Sequence, residues 1–263
     1  MTRSTAPEDI VGLIPAAGRA SRMGPLPCSK EILPIGVWRD PLSSGRRIAV
    51  LGDCLLDQYR ASGIRRVVTI LAPGKTDVAR YYGDGAGDDL DIDYLFVDSP
   101  STPFSLDTAY PRVRDRICAL GFPDILYPAD PVFGKLIAVL DATPADVVLG
   151  LFPTRHANRV DMVRCDGAGR VDSILIKPES LPEDHRLSWL VALWRPGFSD
   201  FLHEEVKRPV GTDEIYVGDI VNRALRTGFR VHGVQVSEAP CLDAGTPETY
   251  AQAIAEFAGR QAR

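Results

Sequence analysis

In this 263-residue chain the residues best equipped for chemistry are cations set beside a run of very small side chains. Leu13-Ile14-Pro15-Ala16-Ala17-Gly18-Arg19-Ala20-Ser21-Arg22-Met23 passes from an apolar run straight into such residues. A loop of this kind lets successive backbone N–H groups come close to phosphate oxygens and cradle them. Arg22 adds a planar guanidinium whose fork matches phosphate geometry. Pro27-Cys28-Ser29-Lys30-Glu31-Ile32-Leu33-Pro34 then brings a lysine to the end of the same loop. Neither GxxxxGK[ST] nor GxGxxG is present, so the loop is neither a P-loop nor a dinucleotide fingerprint. On spacing alone, a plain strand-to-helix connection with two incidental cations stays open.

Acidic and basic candidates recur further along. Asp130, in Ile125-Leu126-Tyr127-Pro128-Ala129-Asp130-Pro131, closes an apolar run and also suits a helix N-cap ahead of a proline. Lys177 lies in Ile176-Lys177-Pro178, and Asp243 in Cys241-Leu242-Asp243-Ala244-Gly245-Thr246-Pro247, where Thr246 is a candidate cap. The five cysteines are odd in number and form no CxxC pair, and the four histidines show no ligand spacing. A disulfide framework or zinc site is therefore not expected, and a reducing cytoplasm is the expected location. A formal charge of −5 argues against a nucleic-acid partner, which would need a basic face. No signal peptide or membrane span is read.

These side chains need elements to hold them. Strands are expected at 10–15, 66–72, 92–97, 124–127 and 146–152, and helices at 48–62, 74–82, 105–120 and 132–141. Pro111 should bend or restrict the third helix. Alternation of this kind implies an α/β fold: a mainly parallel sheet with helices on both faces and ligands beyond the strand carboxyl ends. After 153 the pattern shifts to short β segments at 160–165, 171–176 and 188–194. A helix at 213–227, a strand at 229–236 and a helix at 247–259 follow. Without a linker or repeat, 1–263 reads as one domain, with a nucleotide-binding half (1–152) and a β-rich acceptor-binding half (153–263).

The loop A-A-G-R-A-S-R-M followed by P-C-S-K resembles the signature of the sugar-1-phosphate nucleotidyltransferases, with Ala20 where a glycine is usual. It is also similar to the loop of the isoprenoid-pathway cytidylyltransferases. The resemblance implies a Rossmann-like nucleotidyltransferase fold. It implies an Mg²⁺-dependent enzyme that joins an NTP to a sugar 1-phosphate and releases pyrophosphate. Arg22 would contact the leaving phosphates and Lys30 the phosphates around the reacting α-phosphorus. Ala16, Ala17 and Gly18 would lie by base and ribose, with Ser105 where a glycine normally admits the base. Asp130 and Asp243 would hold the metal, Lys177 would hold the acceptor phosphate, and Arg208 lies near a further phosphate-binding arginine. Leu242-Asp243-Ala244-Gly245-Thr246 is similar to an element of the sugar-phosphate branch that the isoprenoid branch lacks. The resemblance also allows a homo-oligomer.

Departures from the pattern fall in the acceptor pocket. Asp161 stands where a glycine is usual, Ile176 where a glutamate contacts sugar hydroxyls, and Ala192 at a further glycine. They point away from plain glucose 1-phosphate. A transferase acting on a non-sugar phosphate or phosphonate is the competing enzyme reading. A silent nucleotide-binding module is the third, disfavoured because Arg22, Lys30, Asp130, Lys177 and Asp243 all remain.

Overall fold

The structure is a computed structural model that describes residues 5–39, 46–154, 157–185, 187–208 and 214–261. In chain order it contains β1 Ile10–Ala16, β2 Pro34–Arg39, β3 Arg46–Val50, α1 Asp53–Ala61, β4 Arg66–Leu71 and α2 Thr76–Tyr82. Then come β5 Asp91–Phe96, α3 Thr102–Thr108, α4 Tyr110–Val113, β6 Ile117–Leu120, β7 Ile125–Leu126, α5 Val132–Ala142 and β8 Val147–Pro153. The remainder is β9 Met162–Cys165, β10 Val171–Leu175, β11 Leu187–Trp194, α6 Pro196–Val206, α7 Val217–Arg226, β12 Val231–Gln235, β13 Leu242–Asp243 and α8 Pro247–Gln261.

The main sheet runs β10-β9-β11-β6-β1-β4-β5, with β8 paired to β11 and β12. Strands β6, β1, β4 and β5 are parallel, while β11 joins β6 and β8 antiparallel. The sheet is thus mixed, and strands from before and after residue 153 share it. Along β1, Ile10 and Ile14 belong to one apolar cluster and Val11 and Leu13 to the other, as alternation across a doubly covered sheet requires. Tyr59 of α1 is fully buried, and its hydroxyl points at the Leu13 carbonyl (3.0 Å) and the Ala119 carbonyl (2.8 Å). Gly12 makes room for this ring, since a Cβ there would lie 2.9 Å from Tyr59 Cε2.

Three expected elements differ. The helix expected at 48–62 begins only at Asp53, because Arg46–Val50 pairs with β2 as a hairpin that leaves Ile48 55 % exposed. The helix expected at 105–120 ends at Val113. Pro111 starts the separate α4, and Ile117–Leu120 is a central strand beside β1. A short apolar run carries no period that separates buried strand from helix. The expected strand at 124–127 shrinks to β7, which leaves the sheet and pairs antiparallel with β13. Helix α6 was not anticipated, and the expected start of the 213–227 helix lies outside the described residues. No helix is long and apolar enough to cross a membrane among the described residues.

Candidate active site

Two cavities open at the carboxyl ends of β1, β5 and β6, and Thr102 lines both. The first, of about 490 Å³, is bordered by Ala17, Gly18, Ser21, Asp98, Ser99 and Ser105. Ser105 is buried, and its hydroxyl bonds to that of Ser99. The second, of about 300 Å³, is bordered by Arg22, Asp124, Asp161, Lys177, Trp189, Tyr216 and Asp243.

The small-residue loop separates them. Ala20 takes a left-handed conformation (φ +51°), which explains why glycine would suit it; Met23 N–H then closes a turn on the Ala20 carbonyl (2.9 Å). Buried Met23 anchors the loop, and Arg22 next to it stays 59 % exposed with Nη2 3.8 Å from Asp243 Oδ2. Gly245 leaves the charged pair its room: a Cβ would lie 2.8 Å from Arg22 Nη2 and 2.9 Å from Asp243 Oδ1, and those side chains would have to shift.

Across the loop, the Lys30 ammonium donates a short hydrogen bond to Asp124 Oδ2. Burial pulls the Lys30 pKa down, but Asp124 and Asp243 outweigh it and hold the ammonium charged. Asp124 and Asp243 are adjacent because β7 and β13 pair beside them and Ala244 N–H donates to the Asp124 carbonyl (2.9 Å). Burial and then the Asp124 charge push the Asp243 carboxyl up, against the pull of Lys30, Arg22 and Arg159. Its Oδ1 is buried and has no hydrogen-bond partner among the described residues. Two hard carboxylates facing a phosphate loop, one with an orphaned oxygen, fit a Mg²⁺ ion completed by substrate phosphates. No cluster of three or more His, Cys, Asp or Glu side chains occurs among the described residues, so such an ion would depend on those phosphates.

The wall of the second cavity that carries Lys177 and Tyr216 is held from behind. Asn222 of α7 donates to the Ile174 carbonyl (2.7 Å) and accepts from its N–H (3.0 Å), fixing the end of β10. Lys177 follows in a left-handed conformation (φ +40°), with Nζ 3.7 Å from the centre of the Tyr216 ring. Asp219 caps α7 by accepting the Tyr216 N–H (2.9 Å). Gly218 brings this helix against the pocket, for a Cβ there would lie 2.4 Å from Asp161 Oδ2 and 2.6 Å from Ile176 Cδ1. Asp161 and Ile176 are therefore neighbours. Burial raises the Asp161 carboxyl to about 6 despite the nearby Lys177 ammonium.

The structure brings Arg22, Asp161, Lys177 and Asp243 to one cavity, at whose edge Lys30 reaches Asp124, with Ala17, Gly18 and Ser105 in the adjoining one. Ala16 sits behind them, buried at the end of β1. Asp130 is not brought there. It is exposed on the loop before α5 and lines neither cavity, whereas Asp124 lines the second one. Nor does Asp130 cap the helix, whose N-cap is Pro131 with no side-chain bond. Arg208 is also elsewhere, ion-paired to buried Glu205 (2.7 Å) at the end of α6. Thr246 does cap α8, its Oγ1 3.3 Å from Thr249 N. Sequence reasoning missed Asp124, Arg159 and Tyr216. For Asp124 a signal existed: once 117–120 is a strand, Gly121-Phe122-Pro123-Asp124 is its carboxyl-end loop.

The architecture has known counterparts. A protein assigned as a glucose-1-phosphate thymidylyltransferase from Bacillus anthracis, solved with sucrose, superposes with TM-score 0.79 at 18% identity, covering 94% of both chains. A UDP-glucose pyrophosphorylase complexed with UDP-glucose gives 0.77 at 16% identity, over 95% of this chain and 98% of that one. The ligand-free form of a UDP-glucose pyrophosphorylase gives 0.79 at 15% identity over the same shares. The chain has the fold of these nucleotidyltransferases. The sequence matches no family model and no curated protein. At such identities the likeness speaks for architecture, and the chemistry must be argued from this cleft's own residues.

Proposed function

We propose that the protein is a Mg²⁺-dependent nucleotidyltransferase that couples an NTP to a phosphorylated acceptor, a sugar 1-phosphate by preference, and releases pyrophosphate. The observation that carries this reading is the Lys30–Asp124–Asp243 group, set between the small-residue loop and the second cavity. The nucleoside would occupy the larger cavity and the acceptor the smaller. An oxygen of the acceptor phosphate forms a bond to the α-phosphorus while the bond to the bridging oxygen of the β-phosphate breaks. Both reactants are anions, so their repulsion must be cancelled first. Lys177 and Arg159 would hold the acceptor phosphate, Lys30 would face the reacting phosphorus, and Arg22 the departing pyrophosphate. Asp124 and Asp243 would hold Mg²⁺, which supplies charge neutralisation between the two sets of phosphates. A phosphate nucleophile is already ionised near neutral pH, so no general base is needed.

The acceptor pocket favours a substituted substrate. The Ile176 side chain offers no hydrogen bond, and Asp161 brings a carboxyl to that wall. A transferase to a non-sugar phosphate or phosphonate is the second reading that this wall supports.

The test is pyrophosphate release over a grid of five NTPs and a panel of sugar 1-phosphates, polyol phosphates and phosphonates, with and without Mg²⁺. Wild type should turn over with at least one pair. Asp124→Asn should lose about 10²–10³-fold in kcat, while Asp130→Asn stays within twofold. Comparable losses in the two variants would overturn the assignment of Asp124. Tight NTP binding without release on any pair would mark a silent module.

A further inference from the structure

Lys75 is a strongly engaged cation beside the site that the reaction scheme leaves unused. It follows β4, the parallel neighbour of β1, and its Nζ donates to the Ala16 carbonyl (2.7 Å) and to Glu31 Oε1 (2.6 Å). Both side chains of the ion pair are nearly buried, 12 % and 5 % exposed. Ala16 is where the phosphate loop leaves β1, and Glu31 is where the chain returns. Two residues on, Asp77 accepts from Ser29 N–H (2.7 Å) and Ser29 Oγ (2.6 Å). Residues 75–77 thus grip the chain at Ser29 and Glu31, on either side of Lys30, and at the loop's origin.

We infer that Lys75 and Asp77 form a clamp that positions Lys30. Lys30 is a long, flexible side chain whose ammonium must meet Asp124 and the reacting phosphate. Its backbone is fixed by the bonds to its two sequence neighbours, and the Lys75 ammonium ties that anchor to the end of β1. Loss of the clamp would leave Lys30 chemically intact and misplaced, and a misplacement of about 1 Å can cost about 10²-fold in rate. The inference rests on the proposed role of Lys30 at the reacting phosphate.

Lysine labelling tests the anchoring without any substrate. Acetic anhydride at limiting dose, read by peptide mass spectrometry, should modify Lys30 slowly relative to exposed Lys207. In Asp77→Asn, and in the charge-compensated Lys75→Met/Glu31→Gln, Lys30 labelling should rise about 5–10-fold, with Lys135 as an unchanged control and a native unfolding midpoint. Lys75→Met alone leaves the Glu31 carboxylate buried without its partner and can fail to fold, so the other two variants carry the test.

Turnover then separates positioning from general damage. With the NTP–acceptor pair selected by the grid, each clamp variant should lose about 10–100-fold in kcat with NTP KM within threefold. In a Lys30→Ala background the same substitutions should cost nothing further, and in Arg22→Ala the full loss should reappear. Unchanged Lys30 labelling, or losses that multiply with Lys30→Ala, would overturn the clamp. Full turnover by Lys30→Ala would instead sink the role proposed for Lys30 and leave the labelling result to judge the anchoring.

Discussion

Asp161 is the residue whose environment most clearly departs from its type. Its carboxyl lies against the first turn of α7 at Gly218, close to Trp189, and burial holds it near 6 instead of its ordinary 3.8. Lys177 opposes this rise, while Asp219 adds to it. The sign is fixed by linkage. A carboxyl with a raised pKa in the folded state is favoured there when protonated, so the fold loses stability as pH climbs from about 4 to above 6. Wild type should lose about 1–3 kcal/mol more than Asp161→Asn over that interval, measured by urea unfolding at several pH values. Parallel pH profiles for the two proteins would show that Asp161 is not so buried. For an acceptor that donates a hydrogen bond to this group, the same titration would weaken binding at low pH.

At the scale of elements, the phosphate loop illustrates how position outweighs residue type. Ala20 adopts a left-handed backbone that costs an alanine about 1 kcal/mol and a glycine little. Ala20→Gly should therefore keep turnover, and its stability should equal or exceed that of wild type by up to about 1 kcal/mol in thermal unfolding. A clear destabilisation would mean that the Ala20 methyl makes contacts worth more than the strain. The opposite case is Gly245, where any side chain meets Arg22 and Asp243. Both residues sit at the ends of short elements that carry charged groups into the cleft. The ribbon β7–β13 is the clearest such device. Four residues in two strands bring Asp124 and Asp243 together although they are far apart in sequence.

At the scale of the whole molecule, the sheet unites what the chain separates. Strand β11, from the later half, pairs with β6 and β8 from the earlier one, so the wall of the second cavity that carries Trp189 and Leu190 is built on strands of the first half. Tyr59 reinforces the parallel centre from one face, its hydroxyl directed at carbonyls of β1 and β6. Burial raises its pKa far above the ordinary value, so it stays a neutral donor. Tyr59→Phe should cost about 1–3 kcal/mol in unfolding free energy, with little effect on KM, since the carbonyls lose a buried donor. A loss below about 0.5 kcal/mol would show that strand pairing alone satisfies them.

Some of this was legible in the residues. The small-residue loop, Arg22, Lys30, Lys177 and Asp243 all lie in local strings whose chemistry is short-range, and strands β1, β4 and β5 announce themselves by β-branched apolar runs. The α/β class follows from their alternation. What tertiary structure alone decided is pairing. Ile117–Leu120 could be helix or strand until β1 claimed one edge and β11 the other. That choice moved the strand's carboxyl end, and it is Asp124, not Asp130, that lies beside Asp243. Asp161 and Ile176 were likewise brought together by the packing of α7 at Gly218, which no string of neighbours encodes. Periodicity records which face of an element is apolar, but not which element will cover it.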